Sequence, residues 1–447
     1  MAKQNIAVVG SGITGLTTAL ALKKMGYKVD VFEQHGYAGG SIKSIRENGW
    51  LLEYGPNTLL VKDQLVADFL DSLELWEERV VANPESSKRF IVKNGQLVKL
   101  PSSVMEGITS PLFSAMGKLS VLKEPFIKKS NNPDETVAHF VKRRIGEEML
   151  DYALNPFIAG IYANRPEKLS LRHTFPEMHQ LEQEYGSLIW GAFVGRNNGN
   201  GKIRRELISF ENGLHQIVDA ITDQLEEIYF NHEISKIQKR DEGWFLKSKF
   251  GDKGPYQKVV LNVPLYKWRE SLLPIQPKEL KEIRNVEYPP LSVIHLGFKK
   301  ELVEHPLDGF GFLVPEKENR NILGALFSST LFPGRAPADS HLLTVFVGGG
   351  RQPELAQKES PELLEIVLAD LKDLIGLNGE PTFKEHVFWP DSIPAYHVGY
   401  DKVLDVFRSI ETRNAGLHLA GNFRNGVSVP DCIRNGMDLA TRITSSG

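Results

Sequence analysis

At 447 residues the chain exceeds what one hydrophobic core organises, so two or three packed units are expected. Its 41% hydrophobic and 24% charged residues fit a soluble globular protein, and a net charge of -3 excludes a global attraction to nucleic acid. A single cysteine excludes an internal disulfide framework, and no run reaches the roughly 18 apolar residues of a spanning helix.

The first strand is predicted at Ile6–Val9, an unbroken apolar run of the kind buried on both faces. A start at Ile6 leaves no room for a signal or transit peptide, which points to the cytoplasm or the cytoplasmic face of the inner membrane. Gly10, Gly12 and Gly15 follow as G-x-G-x-x-G, and a helix with Leu16, Ala19, Leu20 and Met25 on its inner side ends near Gly26. The next strand, "KVDVFEQ", carries Glu33. Strand, glycine turn, helix and terminal acid together fit a dinucleotide site. The glycines allow the tight turn and close approach of a pyrophosphate, the helix N-terminus faces the phosphates, and Glu33 takes a ribose hydroxyl. A second glycine pair in "GGSIKS" (Gly39, Gly40) and an E-x-G-P turn in "GWLLEYGPN" resemble flavoproteins of the amine oxidase type, and so select FAD over NAD. Ser41 departs from the arginine of many such proteins, with Lys43 either supplying the cation or lying solvated on the surface.

Further along, Asp63–Leu75 reads as a helix, and Lys88–Pro101 as a hairpin turning at Asn94-Gly95. Proline-broken helical patterns run from Ser102 to about Arg205. Another helix, "FENGLHQIVDAITDQL", precedes the strands "EIYFNHEISKIQKR", "GWFLKSKF" and "QKVVLNVP", and strands dominate Leu291–Gly350. "SPELLEIVLADLKDLIGL" is an amphipathic helix. The chain ends with the buried strand "GLHLAG", a loop holding Asn422, Val427 and Ser428, and a helix over Val429–Arg442 whose first turn points N–H groups at the cofactor. Both glycine-rich ends would then converge on one FAD. Cys432 in that helix is read as a small apolar residue rather than a thioether link to the flavin. No metal-ligand spacing appears among the histidines.

"NPFIAGIYANRPEKLSLRHTFP", "GFGFLVPEKE", "SSTLFPGRAP", "IPAYHVGY" and "GVSVPDCI", spread over almost the whole chain, resemble the FAD-dependent, oxygen-using protoporphyrinogen oxidases of the flavin amine oxidase superfamily. That resemblance implies an α/β fold: a discontinuous Rossmann-like FAD-binding domain (1–85, 205–270 and 386–447), a mixed-sheet substrate domain (86–105 and 271–385) and a helical membrane-binding insertion (106–204). It implies non-covalent FAD contacted by Gly10, Gly12, Ile13, Thr14, Gly15, Glu33, Gly39, Gly40, Ser41, Lys43, Gly55, Pro56, Asn57, Ile234, Gly421, Val427 and Val429. The implied reaction converts a porphyrinogen to a porphyrin in heme synthesis, with dioxygen as electron acceptor. Arg89 would hold a propionate, the Gly160 carbonyl would orient pyrrole N–H groups, and Leu313 and Phe332 would wall the pocket. No catalytic acid or base is assigned. "SPLFSAMGKLSVLKEPFIKKS", with Leu112, Phe113, Met116, Leu119, Leu122 and Phe126 beside four lysines, is expected at a membrane surface. The next enzyme of heme synthesis is a further expected partner. Oxidation of coproporphyrinogen III, of amines or of polyenes, and a non-catalytic binding role, are the competing expectations.

Overall fold

The computed structural model describes residues 5–197 and 205–445, so the last residues of the helical stretch expected to reach Arg205 lie outside the described residues. Asn5–Val9 forms the centre of a five-stranded parallel sheet, between Lys28–Phe32 and Lys258–Leu261. Glu227–Tyr229 and Leu417–Leu419 complete its edges. Ile6, Ala7 and Val8 are wholly buried, which is what an unbroken apolar strand between two covered faces requires. Head, middle and tail of the chain therefore meet in one sheet.

The opening helix, Ile13–Lys24, packs on the closing helix, Val429–Ser445. Gly436 permits the approach: a Cβ there would fall 2.8 Å from the Thr14 carbonyl oxygen and 2.8 Å from Thr17 Cβ. The Thr18 hydroxyl donates across the junction to the Gly436 carbonyl at 3.2 Å.

A second, seven-stranded sheet runs in the order Phe383–Trp389, Leu291–Lys299, Ser340–Gly348, Ile322–Phe327, Gly311–Leu313, Arg89–Lys93, Gln96–Lys99. All pairings are antiparallel except Gly311–Leu313 with Arg89–Lys93. The predicted hairpin forms its end, with Asn94 and Gly95 both at positive φ as a two-residue turn demands. Phe383–Trp389 was not foreseen as a strand. It pairs with Leu291–Gly297, so the division expected at 385/386 falls inside it. "EIYFNHEISKIQKR" likewise divides: Glu227–Tyr229 joins the parallel sheet, and Lys236–Arg240 opens a separate three-stranded antiparallel sheet.

Helices fill 104–197, held by buried ion pairs as much as by apolar contact. Arg144 is wholly buried, with Glu124 at 3.0 Å and Glu182 at 2.5 Å. Arg143 bridges Glu135 and Glu182 at 3.0 and 2.8 Å. Leu112 and Phe113, expected on a membrane face, are buried instead with Ile91 and Tyr152, where they anchor the helices to the sheet. Met116, Leu119, Leu122 and Phe126 are exposed.

Candidate active site

The first glycine turn is shaped by its neighbours. A Cβ on Gly10 would lie 2.2 Å from the Asn262 carbonyl oxygen, and one on Gly15 would lie 2.4 Å from the Gly10 carbonyl oxygen. Asn262 Nδ2 donates to the carbonyls of Gly10 and Gly12 at 3.2 and 3.3 Å, a role not read from the sequence. Gly12 caps the opening helix without a side-chain acceptor, and no acidic residue occupies the first turn. Ile13 and Thr14 thus begin a helix whose N-terminus is suited to an anionic group. Glu33 is buried and accepts from Ser11 N and Oγ at 2.9 and 2.6 Å and from His35 N at 2.9 Å. Its carboxylate braces the loop and keeps lone-pair capacity for a hydroxyl.

Gly39 pairs with Gly12 in an isolated bridge, and a Cβ on Gly40 would stand 3.4 Å from Gly12 Cα. The two glycine motifs are side by side. Ser41 continues this lip, its carbonyl oxygen 2.0 Å from where a Gly55 Cβ would be, while Gly55, Pro56 and Asn57 remain half-buried. The Lys43 ammonium lies 5.1 and 5.2 Å from the ring centres of Tyr37 and Tyr54, held between aromatic faces rather than free in solvent. Ile234 is buried in the core with Phe32, so only its main chain is available to a ligand.

From the other end of the chain, Gly421, Asn422 and Val427 line the approach to the closing helix, with Val429 buried at its start. That helix carries its own cap: Ser428 Oγ accepts from Asp431 N at 3.3 Å, and Asp431 adds an acid to the first turn. One N–H group expected to face the cofactor is therefore already satisfied. Cys432 packs among Ile13, Leu16 and Ile433, and burial pushes its thiol up to about 12, as an inert apolar residue requires.

The seven-stranded sheet presents one face to a buried apolar layer that includes Phe90, Phe312 and Val345. Its other face turns toward the E-x-G-P turn, where the Tyr54 hydroxyl donates to Glu385 at 2.9 Å and Asn57 shares a small cavity with Thr344. Strand register places Arg89, Gly311, Leu326, Thr344, His295 and Glu385 in a single row across it. In the neighbouring row Leu313 lies beside Gly324 and Phe346. Leu313, Leu326 and Phe346 stay half-buried in the middle of a sheet, so this part of the face is incompletely covered by the chain itself. The Trp50 ring covers one end at Gly297, and the helix Asn155–Tyr162 closes the other, where a Gly160 Cβ would meet Leu313 Cδ2 at 2.8 Å. Arg89 is exposed, with its guanidinium carbon 5.2 Å from the Phe310 ring centre. Phe332 is buried under the Arg335 guanidinium, 5.4 Å from its ring, and shares a small cavity with Asn57.

The covered part of this same face, where Tyr54 stacks on His295, holds a polar layer the sequence did not announce. Glu53, of the E-x-G-P turn, accepts from Arg335 NH1 at 2.8 Å, Ser44 Oγ at 2.6 Å and Leu214 N at 2.9 Å. Burial raises the Glu53 carboxyl above its usual range while Arg335 pulls it down. His295, fully buried with Nδ1 3.1 Å from the Thr344 hydroxyl, is driven down to about 3 by desolvation and is neutral. Among the described residues no group of three or more histidine, cysteine or acidic side chains could hold a metal.

The model of the family described as flavin containing amine oxidoreductase matches residues 13–444. Protoporphyrinogen oxidase 2, chloroplastic/mitochondrial, of Arabidopsis thaliana is 35% identical over 99% of this chain and 94% of its own length. Coproporphyrinogen III oxidase of Bacillus subtilis is 26% identical over 97% of this chain and 96% of its own. A crystal structure from Exiguobacterium sp. superposes with a TM-score of 0.84 at 24% identity, covering 100% of both chains.

Proposed function

The chain belongs to the flavin containing amine oxidoreductase family, and from that premise we propose that it is an FAD-dependent porphyrinogen oxidase of heme biosynthesis acting on protoporphyrinogen IX. The observation that carries the substrate is the half-buried sheet face of Leu313, Leu326 and Phe346, edged by Arg89, whose row meets the E-x-G-P turn where Thr344 and Asn57 line one small cavity. When bound, FAD supplies two-electron oxidation in three rounds and returns the electrons to dioxygen as hydrogen peroxide.

The chain's own residues bind and orient. Gly12, Gly40 and the open N-terminus of the helix from Ile13 accommodate the pyrophosphate, and Glu33 the ribose. Gly55 to Asn57 form the half-buried floor of the cleft, with Lys43 fixed behind it. Leu313 and Phe332 wall an apolar macrocycle, and the Gly160 carbonyl accepts from its pyrrole N–H groups. The Arg89 guanidinium, at the open edge of the face, holds a propionate in the two-bond geometry that suits a carboxylate. Aromatisation provides the driving force, so the protein's part is to place a carbon of the substrate within reach of the cofactor. The exposed apolar side chains of the helical insertion rest on an anionic membrane surface, from which the poorly soluble product passes to the next enzyme of heme synthesis.

Coproporphyrinogen III is the second reading, favoured by the full-length match to the Bacillus subtilis protein. The test is porphyrin fluorescence from both porphyrinogens on protein whose flavin has been quantified. A higher kcat/KM for protoporphyrinogen IX is expected, and turnover of coproporphyrinogen III alone would overturn the assignment. In the same assay Arg89→Ala should raise KM about tenfold to a hundredfold, the loss of one charged hydrogen-bonded contact, with flavin content unchanged.

A further inference from the structure

Two tyrosines of "IPAYHVGY" reach into the second glycine-rich loop. Tyr396 is 3% exposed, and its hydroxyl donates to the Asn422 carbonyl at 2.7 Å and accepts from Gly426 N at 2.9 Å. One oxygen thus staples two points of the loop that lie four residues apart. Tyr400, with its ring centre 4.8 Å from that of Tyr396, donates to the Phe423 carbonyl at 2.7 Å. The main chain beneath them is fixed from the opposite side: Ser170 N donates to the Tyr396 carbonyl at 2.7 Å, and Leu169 bridges to His397.

The first half of the loop is also held by side chains, with Phe423 buried against Trp268 and Phe407, Asn435 Nδ2 donating to the Arg424 carbonyl at 3.0 Å and Arg424 paired with Glu411 at 2.9 Å. At Gly426 the hydrogen-bond partner is the Tyr396 hydroxyl. Gly421 and Gly426 both have positive φ, as does Asn425, and glycines leave the main chain free to take many paths. Few main-chain bonds close it from within; Arg424 N donates to Gly421 O at 3.2 Å, and Cys432 N to Ser428 O at 2.9 Å beyond it. A segment of this kind binds weakly unless its conformation is set in advance, because ordering it on association subtracts from affinity. Burial holds the Tyr396 phenol well above its ordinary range, so the hydroxyl keeps its proton and both of its roles.

We propose that Tyr396 is a positioning residue for the cofactor: its hydroxyl pre-forms the loop Gly421–Val429 so that FAD binds without reordering it, with Tyr400 as a weaker second fastening. The proposal rests on the reading of that loop as part of the FAD site. Tyr396 acts through Asn422 and Gly426, and need not touch the ligand.

The experiment is titration of FAD into apoprotein, followed by flavin fluorescence quenching, with apoprotein unfolding measured in parallel. Tyr396→Phe keeps the ring and removes both loop bonds; Tyr400→Phe removes one. Tyr288→Phe removes a hydroxyl buried in the same core that accepts from Leu265 N at 3.3 Å instead of bonding the loop, and serves as the control. Expected are a Kd for FAD raised about tenfold or more in Tyr396→Phe, a smaller rise in Tyr400→Phe, and a change within twofold in Tyr288→Phe. Tight binding by Tyr396→Phe, equal to that of the unaltered chain, would overturn the proposal. So would equal weakening in Tyr288→Phe, since the effect would then be general loss of stability. Should Tyr396→Phe fail to fold, Tyr400→Phe decides on the same criteria. Failure of the unaltered apoprotein to take up FAD would instead defeat the cofactor reading itself.

Discussion

Gly12 and Gly15 sit three residues apart in one turn, yet a side chain meets different obstacles at each. At Gly15 an added Cβ collides with protein: the Gly10 carbonyl oxygen at 2.4 Å and Asn262 Nδ2 at 2.6 Å. At Gly12, among the described residues and leaving aside its chain neighbours and own helix, the only atom within 4 Å is Asn262 Nδ2, at 3.2 Å. On the proposed reading of the site, steric freedom at Gly12 serves the cofactor, and at Gly15 the packing of helix on strand. Gly12→Val should abolish flavin retention while moving the apoprotein's unfolding midpoint little. Gly15→Val should destabilise even the apoprotein, by the roughly 1–3 kcal/mol of an overpacked core. Equal apoprotein stability in the two variants would contradict this division. The glycines were legible because their G-x-G-x-x-G spacing is itself a local pattern, even though atoms of Asn262 are among those that exclude a Cβ at Gly10 and Gly15. Asn262, Tyr396 and Glu53 were not: each acts on a segment that approaches it only after folding, and no periodicity marks an asparagine that will brace a turn some 250 residues away.

The helical insertion is stabilised by buried ion pairs as well as by apolar contact. Glu124, Glu182 and Arg144 occupy its centre, and removing one member of such a group leaves an uncompensated buried charge. With ion pairs holding the helices, Met105, Ile108, Met116, Leu122 and Phe126 can all face outward, Phe126 at 86% exposure. Lys123 and Lys128 flank them, an arrangement suited to the interface of an anionic bilayer. No described helix is long and apolar enough to cross a membrane. Vesicles containing about a third anionic lipid should therefore co-sediment the protein in a salt-sensitive manner. Replacing Met105 and Phe126 together by Ser should cut the bound fraction severalfold at unchanged activity; undiminished binding would show that this face is not the one engaged. The sequence displayed the amphipathic pattern but assigned Leu112 and Phe113 to the wrong side, because helical spacing tells which residues share a face and not which neighbour that face meets.

For the molecule as a whole, the cofactor sheet and the apolar sheet are each assembled from distant parts of the chain. Arg89 shares a row with Glu385 through four intervening strands. Alternation in each strand was readable, but the partners were set by tertiary pairing, which hid the row until the sheet closed. Closure has a cost that pH can measure. His295 lies in that row, fully buried, with its imidazole driven to about 3, while His418 in the parallel sheet falls to about 4, again by desolvation. Both are neutral when folded and titrate near their ordinary value of about 6.5 when unfolded. Below that value the unfolded chain binds more protons, so stability is complete above about pH 6.5 and declines as pH falls toward 4. One such group alters unfolding free energy by about 1.4 kcal/mol per pH unit, or about 2 kcal/mol between pH 6.5 and 5 for His295 alone. Carboxylates with ordinary or lowered values contribute only at the lower end of this window. Urea unfolding of apoprotein at pH 7.5, 6.5 and 5.5 should show the decline, and His295→Asn, which does not titrate there, should remove about one proton's worth of slope. An unchanged slope in that variant would mean that His295 is protonated or hydrated in the folded state, and that the polar layer on the covered part of this sheet face is open to water.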